Sequence, residues 1–121
     1  MTHWQDMLRI YIAAPYSKGD KEKNVLAAIE AAELIMKAGH RPINPLFSHY
    51  HHLVFAHDYE EWMQQDFSDI MTCKAIVRLP GESAGADREI AFAKQVGVDV
   101  FHSMEELLDY LQFLELERLS S

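Results

Sequence analysis

Cysteine occurs once in the 121-residue chain, at Cys73. That excludes an intrachain disulfide and a zinc site built on cysteine pairs. Basic residues are also scarce, with 11 Lys and Arg against 19 Asp and Glu and a formal net charge of −8. Nucleic-acid polymers and anionic membranes want a positive surface, so the balance argues against both as partners. A small anionic ligand held by backbone N–H groups remains possible on this charge. No apolar run reaches membrane-spanning length, and the opening MTHWQDM is polar rather than signal-like, so the expected compartment is the cytoplasm. Repeats and low-complexity segments are absent. What is present, 49% hydrophobic and 25% charged residues, is ordinary for a globular protein. The length suits a single domain over residues 1–121 with one modest core.

Strands and helices alternate along the chain. Leu8 to Ala14, LRIYIAA, is a short apolar run that predicts a buried strand. After the turn PYSKGD, with Asp20 as N-cap, Lys21 to Ala38 has Leu26, Ile29, Glu33 and Met36 at helical spacing, and Gly39 stops it. RPINP (Arg41 to Pro45) is a brief second strand, and Leu46 to Asp58 a histidine-rich loop. Tyr59 to Thr72 is the second helix, and Lys74 to Leu79 the third strand. Ala86 to Val96 is the third helix, Val98 to Phe101 the fourth strand, and Met104 to about Leu119 the last helix. Such alternation predicts an α/β fold, a flavodoxin- or Rossmann-like three-layer sandwich on a parallel sheet of about four to five strands. With right-handed crossovers, the simplest strand order is 2-1-3-4. Ligands then bind beyond the carboxyl ends of strands one and three, where the winding reverses. The segments leaving those ends are AAPYSKG and PGESAGADRE.

Two carboxylates lie on helix faces that should be buried. Glu89 falls on the apolar side traced by Ala86, Ile90, Ala93 and Gly97, in line with Ala93 and Val96, and Asp66 sits in the stripe of Tyr59, Trp62, Met63, Ile70 and Cys73. A buried carboxylate is costly unless paired, hydrogen-bonded or protonated. Two of them bordering one crevice suggest a polar site between helices. Paired acids can stabilise an oxocarbenium-like transition state at a sugar, or hold a divalent metal if further ligands are near. The SAG segment before a helix N-terminus offers backbone donors to an anion. No Walker loop and no G-x-G-x-x-G motif is present. His49, His51, His52 and His57 lack a zinc-ligand spacing, so no metal is expected there. His49 is the one placed near a ligand. Tyr16, Ser17 and Lys18 leave the first strand towards the crevice. The last helix carries Leu107, Leu108, Leu111, Phe113 and Leu114, more apolar surface than one short sheet needs, which suggests a homodimer or higher homo-oligomer.

IYIAAPYS, WMQQDFSDIMTCKAIVRLPG and SAGADREIAFAKQVGVDV, together spanning roughly Arg9 to Phe101, resemble the nucleoside 2-deoxyribosyltransferase superfamily. That group includes nucleoside and nucleoside 5′-monophosphate N-glycosidases, and the likeness is greatest to a small bacterial and phage branch. The most specific piece is Ser-x-Gly-x-x-x-Glu, here Ser83, Gly85 and Glu89. The resemblance implies that Glu89 is the nucleophile at the anomeric carbon and that Asp66 binds base or sugar and helps protonate the leaving base. It further implies that the Tyr11 hydroxyl orients Glu89 and that Ser83 binds a 5′-phosphate where the substrate carries one. Ala14 stands where glycine or serine is common, which narrows the space near the sugar. The expected partner is a small nucleoside or nucleotide, with no cofactor. Hydrolysis or transfer depends on whether water or a second base accepts the sugar. Two readings of other classes stay open: a non-catalytic nucleotide-binding module using the same crevice, and a metal-dependent hydrolase built on the histidines.

Overall fold

A computed structural model describes residues 2–121. Its sheet consists of β1 (Arg9–Ala13), β2 (Arg41–Ile43), β3 (Ala75–Arg78) and β4 (Asp99–Phe101), all parallel, in the order β2-β1-β3-β4. This is the expected order, with four strands. Each strand is shorter than its apolar run by a residue or two. β1 is central and flanked on both sides, which is why Ile10 to Ala13 are inaccessible and the run is almost wholly apolar.

The described residues form five α-helices, α1 (Lys21–Lys37), α2 (Leu46–Val54), α3 (Tyr59–Ile70), α4 (Ala84–Val96) and α5 (Met104–Ser120), of which all but α2 pack on the sheet. Successive strand residues point to opposite faces. Ile10, Ile12, Ala75 and Val77 therefore pack with Ala31 and Ile35 of α1 and Leu107 and Leu111 of α5. Tyr11, Ala13 and Ile76 turn the other way, onto Ile70 of α3 and Ala86, Ile90 and Ala93 of α4. The parity of β1 thus sends Tyr11 to the side that carries both acids. Asp20 caps α1 by accepting the Lys23 N–H, and the left-handed Gly97 ends α4.

The α1 helix forms where its spacing predicts, but its inward face is not the one with the large apolar side chains, and one further expectation, for the histidine-rich stretch, is corrected. The α1 residues Leu26, Ile29 and Met36 are 50–61% exposed, and the buried stripe is Ala28, Ala31 and Ile35. Alanines let the helix approach the sheet closely, so the longer side chains face outward. The histidine-rich stretch is not all loop: Leu46 to Val54 form α2, started by the Asn44 side chain accepting the Leu46 N–H. None of its residues is buried, so no apolar core stripe announced it. A short 3-10 turn, Trp4–Asp6, also precedes β1.

Candidate active site

Beyond the carboxyl ends of β1 and β3, between α2, α3 and α4, opens a cavity of about 700 Å³. Asp66, Ser83, Gly85, Ala14, Tyr16, Ser17, His49 and Glu89 all line it, so these sequence-predicted residues are brought to one place. Tyr11 does not reach the cavity wall. It lies fully buried behind it, where its hydroxyl donates to Glu89 Oε2 at 2.5 Å.

Local sequence explains how Glu89 comes to be there. Ser83 caps α4, its hydroxyl accepting the Ala86 N–H at 3.1 Å, so the helix starts two residues earlier than the periodicity predicts. Glu89 then falls in the second turn, 4% exposed, the one buried charged residue among the described residues. The turn before Ser83 is held from below. The Arg78 guanidinium donates to the Leu79 and Gly81 carbonyls and pairs with Asp87 in the first turn of α4. Gly81 has φ +117°, and a Cβ there would stand 2.7 Å from Pro15 Cγ, so only glycine lets this turn cross the segment leaving β1. At Gly85 an added Cβ would meet nothing closer than Tyr59 Oη at 3.5 Å, so packing alone does not require glycine.

Electrostatics couple the two acids. Burial, and then the neighbouring Asp66 carboxylate, push Glu89 up to about 9, while the Tyr11 hydrogen bond and Arg78 pull the other way. Burial also raises Asp66, with Asp69 adding to the effect, whereas its hydrogen bonding to Glu89 and Tyr11 opposes it. Two such carboxyls do not ionise together cheaply, so around neutral pH they hold one proton between them. Burial, then the carboxylates of Glu89 and Asp66, raise the Tyr11 phenol far above its ordinary range, so it stays a donor. Tyr11→Phe removes a hydrogen bond to a charged group, worth about 1.5–3 kcal/mol, and turnover is expected to fall about ten- to a hundredfold. The same change withdraws a contact that lowers the Glu89 pKa, so the alkaline limb of the pH–rate profile should move upward. A profile with an unmoved limb would show that Tyr11 only packs.

His49 stacks on Tyr16, centroids 3.5 Å apart and 13° from parallel, forming one wall. Burial, and the nearby His52, bring it down to about 4, so it is a neutral imidazole at physiological pH. Across the mouth, Lys18 and Glu82 pair at 3.1 Å, an exposed contact of small energetic weight. Ser48, His52, His57 and Glu82 also belong to the lining, beyond the residues that the sequence pattern points to. The histidines read as members of a loop on sequence alone, and a loop imposes no period that would give their direction. No group of three or more His, Cys, Asp or Glu among the described residues is placed to hold a metal ion. No helix of the described residues is long and apolar enough to cross a membrane.

A protein family described as "Domain of unknown function (DUF4406)" matches residues 8–102. A sequence comparison with curated proteins gives no match. Among solved structures, the chain is similar to a 2-deoxyribosyltransferase from Bacillus psychrosaccharolyticus, at 17% identity and TM-score 0.62 over 76% of this chain and 69% of that one. It is also similar to a CMP N-glycosidase from Clostridium botulinum, at 18% identity and TM-score 0.49 over 89% of this chain and 98% of that one.

Proposed function

The chain belongs to the DUF4406 family, and we propose that this family is a branch of the nucleoside 2-deoxyribosyltransferase superfamily and that the chain cleaves or exchanges the N-glycosidic bond of a nucleoside or nucleoside 5′-monophosphate. The observation that carries this reading is the buried Glu89, held by the Tyr11 hydroxyl and set beside Asp66 on the wall of the cavity. The fold shared with a 2-deoxyribosyltransferase supports it.

In this reading the pair's single proton is what the reaction needs. The carboxylate of Glu89 attacks C1′ of the sugar while the C1′–N bond breaks, and the departing base keeps the bonding electron pair. Asp66 delivers the shared proton to that base. A glycosyl ester on Glu89 remains, until water or a second base attacks C1′ and frees the carboxylate. Ser83 and the backbone N–H groups of the first turn of α4, Gly85 included, hold the 5′-hydroxyl or 5′-phosphate in this reading, supported by their place in the cavity lining. Ala14, Tyr16, Ser17 and His49 bound the space for sugar and base.

Free-base release from a panel of nucleosides and their 5′-monophosphates, with and without an acceptor base, tests the proposal by chromatography. Release in water alone marks a glycosidase, and exchange only with an acceptor marks a transferase. Silence across the panel from folded protein would leave a binding module. We further propose that copies associate through α1 and α2. Leu26 and Ile29 line a shallow hollow together with Tyr50, and Phe47 and Leu53 are 79% and 74% exposed. The wild type should sediment as a dimer or larger, and Leu26→Glu should weaken that association at least about tenfold. A monomeric wild type at micromolar concentration would refute it.

A further inference from the structure

The reaction proposed above leaves His51, His52 and His57 without a task, yet they are ordered around one side chain. Trp62 donates its indole N–H to His52 Nδ1 at 2.8 Å, and the His57 backbone N–H donates to the same nitrogen at 3.1 Å. The rings of His51, His52 and His57 all stand at 75–77° to the indole, with centroids 5.2–5.9 Å away. His57 is itself held by Glu61, Nδ1 to Oε2 at 3.1 Å. An imidazole nitrogen that accepts from two N–H groups carries no proton of its own. The proton of neutral His52 is therefore on Nε2, and an N–H donor is the one polar group its ring has left to offer the cavity it lines.

Position says what that donor would meet. Trp62 precedes Asp66 by four residues on α3, so the two leave the same helix face one turn apart, and His52, bonded to Trp62, lines the same cavity as the acid pair. Asp66 has to reach the base close to its glycosidic nitrogen. His52, on the part of the lining beyond Trp62, is then the donor set towards the opposite edge of the base, at purine C6 or pyrimidine C4. A keto oxygen at that edge accepts from His52. An amino group there sets donor against donor and strands both.

Resting on the N-glycosidic reading, we propose that His52, oriented by Trp62 and the His57 backbone, is a specificity-determining residue that selects nucleosides whose base has a keto rather than an amino group at its far edge.

The test is calorimetric titration of the Glu89→Gln protein, which holds substrate without consuming it. The probes are inosine against adenosine and 2′-deoxyuridine against 2′-deoxycytidine, each also as its 5′-monophosphate. The keto member of each pair should bind at least about tenfold more tightly. Adding His52→Leu should bring the ratio to within about twofold. Adding Trp62→Phe keeps a ring but removes the indole N–H, and should lower the ratio partway, which keeps the test available if the His52 variant does not fold. Equal binding, preference for the amino member, or a preference that survives His52→Leu or is undiminished by Trp62→Phe would overturn this assignment alone. Absence of binding by every probe would overturn the N-glycosidic reading together with it.

Discussion

Glu89→Gln protein is expected to release base at no more than about a thousandth of the wild-type rate, to keep its affinity for substrate, and to be the more stable protein above neutral pH. The kinetic part follows from the role: an amide does not attack C1′, and loss of a nucleophile ordinarily costs at least that factor. The stability part follows from linkage. The ordinary glutamate pKa of 4.5 is raised to about 9 in the fold, so the folded state favours the protonated form. That contribution is complete below pH 4.5 and is lost as the pH climbs towards 9. Glutamine stays neutral, can accept from Tyr11 and can donate to Asp66. The variant should therefore match the wild type near pH 5 and exceed it by about 1–3 kcal/mol at pH 9, the scale of a relieved buried polar group. Urea unfolding at several pH values measures this. A variant less stable than wild type at pH 9 would mean that the Glu89 carboxylate is structurally favoured, against the argument for its role.

Asp66→Asn protein should lose about 10²- to 10⁴-fold in rate on ordinary nucleosides, the usual contribution of a positioned acid. The loss should shrink to less than about tenfold on a nucleoside whose base is already cationic, such as a 7-methylated purine, because that base departs without a proton. Wild-type activity should pass through a maximum. Its alkaline side falls as the pair loses its last proton on approach to about 9, and its acid side falls where both carboxyls, Asp66 with its raised pKa included, hold protons. Steady-state rates on the two substrate types decide the point: an equal loss on both would remove Asp66 from proton transfer.

How much of this was legible in the sequence can be judged residue by residue. Ile10 to Ala13 form a buried strand because nothing polar interrupts them, and that run, with its three counterparts, was enough for the strand order. Glu89 and Asp66 stood out because each broke an apolar stripe, a conflict between local pattern and burial that a site resolves. Tyr11 was harder, since a fully buried strand aromatic looks the same whether or not its hydroxyl has a partner. The inward face of α1 was hidden for a physical reason: Ala28 and Ala31 carry little hydrophobic weight in a pattern, yet small side chains bring a helix closest to a sheet. α2 stayed invisible because it buries nothing, so its residues follow no core-imposed period. Arg78 and Gly81 act through carbonyls and a positive φ, neither of which leaves a mark on spacing.

The helix that supplies Ser48, His49 and His52 to the cavity contributes no residue to either core. Substrate choice and foldability are thereby encoded by different parts of the chain. Replacements along Leu46–Val54 leave the sheet and its two apolar layers untouched, so many can be sampled together without unfolding the protein. A library confined to those nine positions is the economical route to altering what this cavity accepts.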